Sequence, residues 1–165
     1  MFSIEPVKSS HAAALFPMIF RTEVTKTILW DGPVDFAAYE QALKEKESAT
    51  QKGEEHMFTL FFEGKPAGSC SFRPRPDGLS ADVGLWVGKP YQGKGLGSFA
   101  VSELLLYGFK FPKIAFIDAE IFHGNEASKR IFEKQGFRLT RESETTKRGQ
   151  VIKEWVLTLT RKEYE

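Results

Sequence analysis

Residues Ser80–Ser98 read SADVGLWVGKPYQGKGLGS. Ser80 to Val87 is strand-like, Gly88 to Gly97 is a glycine-rich loop, and an apolar helix is predicted from about Ser98 to Phe111, where Pro112 should stop it. A glycine-rich turn between a strand and a helix favours an anion. Glycines let a ligand approach the backbone, the first N–H groups of the helix lack intrahelical partners, and the helix dipole attracts negative charge. A phosphate or pyrophosphate is the guest this loop suits. A plain strand–helix turn is the alternative on position alone.

Two familiar phosphate loops fit less well. Gly88 to Lys94 has the G-x-x-x-x-G-K spacing, but Gly95 stands where Ser or Thr must ligate magnesium. Gly93, Gly95 and Gly97 run G-x-G-x-G, whereas a dinucleotide fingerprint needs G-x-G-x-x-G.

Working outward, Phe2 to Val7 reads as a first strand. A helix over about His11–Ile28, capped by Ser9 or Ser10, carries Leu15, Met18, Ile19 and Thr22 at helical spacing, with Pro17 set to kink or split it. Trp30 to Pro33 is a turn. Asp35 caps a second helix with Phe36, Tyr39 and Leu43 on its apolar side, fading by Gly53. His56 to Glu63 and Ala67 to Arg73 are strands joined at Glu63–Gly64, and with Ser80 to Val87 they form an antiparallel meander. Ile114 to Ile121 is an apolar strand, Asn125 opens a helix closed by Gly136, and Phe137–Thr146 with Gln150–Thr160 form a hairpin around Arg148–Gly149. The order is β-α-α-β-β-β-α-β-α-β-β. Its crossovers require a mixed sheet with helices on both faces.

Composition limits the function classes. A chain of 165 residues is the size of one domain, 1–165. Lys plus Arg is 23 against 22 for Asp plus Glu, a balance that argues against a nucleic-acid or membrane-surface binder. The lone Cys70 excludes an internal disulfide and Cys-rich zinc motifs, and it reads as a buried strand residue. Met1 to Ser10 lacks the pattern of a signal peptide, and Ala12 to Phe20 is too short to span a bilayer, so a cytoplasmic protein is expected.

One pattern fits the loop fully. Gln92-x-x-Gly95-x-Gly97 resembles the Q/R-x-x-G-x-G/A signature of the GNAT superfamily of N-acetyltransferases. Asn125 to Phe137, NEASKRIFEKQGF, is similar to that family's second cofactor segment, and Ala81 to Trp86 resembles its Rim-type branch, which acetylates ribosomal-protein N-termini. The resemblance implies the GNAT fold, of α/β (α+β) class, with a mixed, mostly antiparallel seven-stranded sheet. It implies acetyl-CoA as cosubstrate, no metal, and direct transfer to a primary amine on a protein N-terminus or a small molecule. Many relatives dimerise, and a homodimer is within its scope.

By the same resemblance, Gln92, Gly93, Lys94, Gly95, Leu96, Gly97 and Ser98 hold the cofactor pyrophosphate. The backbone of Leu85, Trp86 and Val87 runs against the pantetheine arm, with Gly84 placed to ease a splay or bulge. Asn125 touches the same arm, though Asn is also a favoured helix cap.

Amine acetylation needs a proton acceptor, because amines titrate near 8 to 10.4. Asp82 is the first candidate, at the family's strand carboxylate position, on the strand face of Gly84 and Trp86. Glu144 is the second, with Glu142 on its face; solvated carboxylates are the alternative for all three. Many relatives carry a Tyr as proton donor where this chain has Phe132, and Ser128, one turn earlier, is the Rim-type residue near the sulfur. His56 and His123 lie on no motif. Trp30 and Asp31 fall in a loop that walls the acceptor cleft in relatives, though turn packing explains them as well. Arg73 to Pro76 reads as a solvated strand end, and Lys129 and Arg130 as a solvated helix face or partners of the CoA ribose phosphate. A catalytically silent acyl-CoA-binding module remains the alternative function, because Phe132 and Asp82 depart from the common Tyr and Glu.

Overall fold

The apolar runs of the sequence become seven strands of one sheet. The computed structural model describes residues 1–165. Its strands are β1 (Phe2–Pro6), β2 (Met57–Phe62), β3 (Lys65–Pro74), β4 (Ser80–Val87), β5 (Phe116–Phe122), β6 (Arg138–Lys147) and β7 (Gln150–Thr160), in the spatial order β1-β2-β3-β4-β5-β7-β6. The helices are α1 (Ala12–Ile19), α2 (Phe36–Gln51), α3 (Leu96–Gly108), α4 (Glu126–Lys134) and a single turn, α5 (Arg161–Tyr164). The pairs β1–β2, β2–β3, β5–β7 and β6–β7 are antiparallel, and β4–β5 is parallel. The mixed sheet expected from the crossovers is therefore present. The chain divides into two compact units, Met1–Ser71 with Leu85–Ala100, and Phe72–Gly84 with Val101–Glu165.

The first unit is built around α1 and α2. Asp35 accepts a 2.7 Å hydrogen bond from the Ala38 N–H, so α2 starts where its cap residue predicts. Tyr39 and Leu43 turn inward to a core of Val7, Leu15, Ile19, Val24 and Trp86. Phe36, expected on the same face, is 39% exposed and meets Phe16 edge-on instead. The long helix expected over His11–Ile28 is three pieces: a 3-10 turn Ser9–His11, α1, and a second 3-10 turn Glu23–Thr27. Pro17 sits inside α1 and cannot donate to the carbonyl four residues back. Arg21, at φ 53°, then reverses the chain. Neither Ser9 nor Ser10 caps with its side chain, because the turn begins one residue earlier, at Lys8.

The second unit is built on β5, β7 and β6. The β6–β7 hairpin turns through Arg148 (φ 51°) and Gly149 (φ 76°), the paired left-handed geometry that suits the twist of a two-residue hairpin. α3 ends at Gly108, earlier than the expected Phe111. A Cβ at Gly108 would stand 2.6 Å from the Phe72 ring and 3.0 Å from Ile117, so glycine lets the helix press onto the sheet. The Arg161 guanidinium then collects the carbonyls of Phe109, Phe111 and Ile114, in the segment past the helix, at 3.0, 2.6 and 2.9 Å. Residues opposite one another in register share a sheet face. Asp82, Asp118, Glu120, Phe122, Glu154, Val156, Thr158, Arg141 and Ser143 therefore lie on one face, and Ile117, Ile121, Trp155, Glu142 and Glu144 on the other.

Candidate active site

In the first unit the glycine-rich loop is shaped by its backbone and by one side chain, Gln92. Gly93 (φ 74°) and Gly95 (φ 91°) both adopt left-handed backbone that other residues rarely enter. Turns in which left-handed residues alternate with right-handed ones gather successive N–H groups into an anion-binding concavity. α3 begins at Leu96, two residues earlier than expected, so Gly97 and Ser98 belong to its first turn, whose N–H groups have no intrahelical partner. Gln92, the first residue of the motif, donates from Nε2 to the Val87 carbonyl at 2.8 Å. That bond ties the loop back to the last residue of β4. A Cβ at Gly93 would meet nothing within 4 Å, and Lys94 places its ammonium 5.3 Å from the Phe62 ring centroid.

The strand leading into the loop is set by two more close approaches. A Cβ at Gly68 of β3 would stand 2.3 Å from the Trp86 carbonyl oxygen, and one at Gly88 would stand 2.2 Å from the Met18 sulfur. The Gly88 N–H donates to the Ala67 carbonyl at 2.8 Å. The Trp86 side chain is 8% exposed and belongs to the core, so only its backbone is available to a ligand.

In the second unit the sequence-predicted residues fall into three places. Asp82 is on β4, and its Oδ1 accepts from Arg73 Nε at 2.5 Å. The Arg73 guanidinium lies over Gly84, where a Cβ would be 3.1 Å from Nη2. The glycine thus makes room for an arginine, a reason the sequence alone does not disclose. The parallel β4–β5 ladder has only three rungs, Ser80–Phe116, Ala81–Ile117 and Asp82–Asp118.

Asn125 and Ser128 are brought together. The Asn125 side chain accepts from the Ser128 N–H at 3.3 Å and caps α4 as its residue type predicts. Phe132 is 3% exposed and packs edge-on against Phe137, with ring centroids 5.1 Å apart. It is a core residue of α4. Lys129 lies 4.5 Å over the Trp155 ring, and His123 stacks on the same ring at 4.7 Å with its Nε2 3.4 Å from Glu142. Glu144 pairs in register with Lys153. The two β6 carboxylates are therefore on the sheet face opposite Asp82.

Three residues of this region escaped the sequence reading. Arg75, taken with Arg73 as a solvated strand end, reaches Asp118 on β5 at 2.9 Å. Asp118 is fully buried and also takes a 2.5 Å bond from Thr158 and the Arg141 guanidinium at 3.7 Å. Glu154, 5% exposed on β7, has its pKa pushed up by burial and then by Glu120, with a hydrogen bond from Ser143 pulling the other way. A signal was present for Asp118, a carboxylate flanked by Ile117 and Ala119, whereas Glu154 follows Lys153 in a more polar stretch of β7.

Comparison with known proteins bears directly on this arrangement. The model of the acetyltransferase (GNAT) domain family matches residues 2–138. A search of curated protein sequences gives no significant match. Among solved structures, the fold is similar to a GNAT-family acetyltransferase from Bacillus anthracis, with 21% identity, a TM-score of 0.85, and coverage of 99% of this chain and 96% of that one. It is similar to the ribosomal L7/L12 α-N-protein acetyltransferase RimL, solved with coenzyme A, at 17% identity and a TM-score of 0.86, covering 99% and 96%. It is also similar to the microcin C7 self-immunity acetyltransferase MccE, solved with acetyl-CoA and AMP, at 18% identity and a TM-score of 0.85, covering 96% and 92%. At these identities the likeness is one of fold, and the family match carries the assignment. With the motif loop, the Asn125 segment and the strand order all in place, the chain belongs to the GNAT family of acetyltransferases.

Proposed function

We propose that this protein transfers an acetyl group from acetyl-CoA directly to a primary amine. The observation that carries the reading is the loop: two left-handed glycines, a glutamine tied to the preceding strand, and a helix starting at Leu96. An array of backbone N–H groups with few side chains in the way suits a pyrophosphate. Gln92 to Ser98 would hold it. The backbone of Leu85, Trp86 and Val87 would lie along the pantetheine arm, as the family motif implies. On the second unit, Asn125 and Ser128 are carried over as contacts to that arm and to the sulfur. When bound, acetyl-CoA supplies an activated thioester.

The chain's own residues must then do three things. They must hold the acceptor, take a proton from its amine, and let the sulfur leave protonated. Asp82 and Glu144 are the carboxylates that the motifs offer for the proton, and of these only Asp82 shares the sheet face of Glu120 and Glu154. The Ser128 hydroxyl stands one helical turn before Phe132, where the phenyl ring leaves no phenol to donate. The Rim-type resemblance favours an α-amine, a protein N-terminus, as the acceptor. The family match over residues 2–138 draws on both units and supports reading residues 1–165 as one domain. No helix is long and apolar enough to cross a membrane. The cytoplasm, where acetyl-CoA and free N-termini are available, is the proposed location, and a homodimer the proposed assembly.

Calorimetric titration with acetyl-CoA beside an ATP–magnesium control tests the donor. Thiol release in the presence of short peptides with free α-amines, and of small amines such as ethanolamine, tests the acceptor. Micromolar acetyl-CoA binding with amine-dependent thiol release supports the reading. Binding without turnover makes the protein a silent acyl-CoA-binding module, and no binding by a folded sample removes the donor assignment.

A further inference from the structure

Across β4, β5 and β7, the sheet face that bears Asp82 carries four carboxylates, and three of them meet a guanidinium. Asp82 is bound by Arg73, Asp118 by Arg75 and Arg141, and Glu120 lies 4.0 Å from Arg75. Glu154 is the exception. It stands on β7 opposite Phe122 of β5 and Ser143 of β6. The groups that face it are Glu120 on β5 and Ser143 on β6, with Arg141 one same-face position away and turned toward Asp118. A buried carboxylate costs free energy unless it is paired with a cation or kept protonated. Here no cation is supplied, and burial and Glu120 push its proton affinity up.

Its position links it to the family's second segment. The β4–β5 ladder stops at Asp82–Asp118, and β5 runs on through Glu120 to Phe122 paired with β7. Phe122 is the cross-strand neighbour of Glu154, and its carbonyl accepts from the Asn125 N–H at 3.0 Å. Glu154 therefore sits beside the strand end that delivers Asn125 and Ser128.

We propose that Glu154 is the general base of the transfer. This rests on the acetyl-transfer reading above. The Glu154 carboxylate takes one proton from the acceptor ammonium. The neutral amine attacks the thioester carbonyl, the N–C bond forms, and the C–S bond breaks. The second amine proton ends on the departing sulfur, and Glu154 returns its own to solvent. A base with raised proton affinity is better matched to work near neutrality than an ordinary exposed carboxylate.

The test is the pH profile of thiol release from acetyl-CoA with a free α-amine peptide, run beside acetyl-CoA titration by calorimetry. Glu154→Gln should lower kcat/KM at neutral pH by about 100-fold, abolish the acidic limb of the profile, and leave acetyl-CoA affinity unchanged. Ser143→Ala keeps the carboxyl but removes the hydrogen bond that lowers its pKa. It should move the acidic limb to higher pH while keeping the plateau rate, which a merely structural role would not do. Glu154→Gln with the parent's rate and limb overturns the proposal, and Asp82→Asn and Glu144→Gln, run alongside, show where the limb then belongs. Failure of the parent protein to release thiol with any amine sinks the transfer reading and this proposal together, a result distinct from an active parent with an unaffected variant.

Discussion

The glycine-rich loop and the polar face of β4, β5, β7 and β6 are made by opposite means. The loop is backbone chemistry over a few consecutive residues, Gln92 to Ser98, with glycines where φ is positive. The polar face is side-chain chemistry gathered from five strands, and its partners are 9 to 43 residues apart, as in Arg73–Asp82 and Arg75–Asp118. Local chemistry of the first kind is written in a motif. The second kind exists only once the strands are in register, so changes to it should be felt as stability and as position together.

Substitutions can separate the two. The largest effect is expected at the loop. Gly95→Glu puts a carboxylate where an anion should bind and forces a side chain onto φ 91°. Acetyl-CoA affinity should fall on the order of 100-fold, about 2.7 kcal/mol, in calorimetry. Gly95→Ala, which shares the backbone strain and lacks the charge, should lose less. Equal losses would show that strain, not anion repulsion, governs the loop.

On the face, Asp118→Asn leaves Arg75 and Arg141 without their shared carboxylate. Urea denaturation should show a loss of about 3 kcal/mol, in the range for breaking a buried pair. An unchanged midpoint would mean that the guanidiniums reach solvent at no cost. Arg161→Ala strips three carbonyls of a charged donor after α3, and about 2 kcal/mol should be lost. Gly84→Ala should cost less than about 1 kcal/mol, since the Arg73 side chain can yield. Its turnover should fall nonetheless if Asp82 takes part in the transfer. A rate equal to the parent's would separate Asp82 from the chemistry.

The smallest effect is one of pH. Hydrogen bonds from Arg138, then from the Thr160 N–H and hydroxyl, hold Glu163 at about 2, against 4.5 for an ordinary Glu. The folded pKa is depressed, so this group's stabilisation is present above about 4.5 and is lost as pH falls toward about 2. Glu163→Gln should flatten that part of the stability profile. Glu154 has the opposite sign. Its folded pKa is raised, so its contribution is favourable at low pH and is lost as pH rises through the folded value. Glu154→Gln should therefore be at least as stable as the parent at neutral pH, and thermal melts across pH would show it.

Much of the fold was legible. Strand β4 spans the expected Ser80–Val87, the Asp35 and Asn125 caps sit where expected, and the final hairpin turns at Arg148–Gly149. Two helix ends differ from expectation. α3 stops at Gly108, and Arg161, 47 to 52 residues away, takes carbonyls beyond it. The first helix ends at Ile19, where Phe20 turns extended (ψ 110°) and Arg21 follows at positive φ.

Most elements, the anion loop and the family motifs are readable along the chain, because periodicity, caps and glycines act over a few bonds. Tertiary structure alone decided which carboxylates share a face and which of them are paired. Register across β4, β5, β7 and β6 places Asp82, Asp118 and Glu154 on one side of the sheet and Glu144 on the other. A carboxyl's proton affinity depends on burial and on charges within a few ångströms, and those distances are set only when the strands come together.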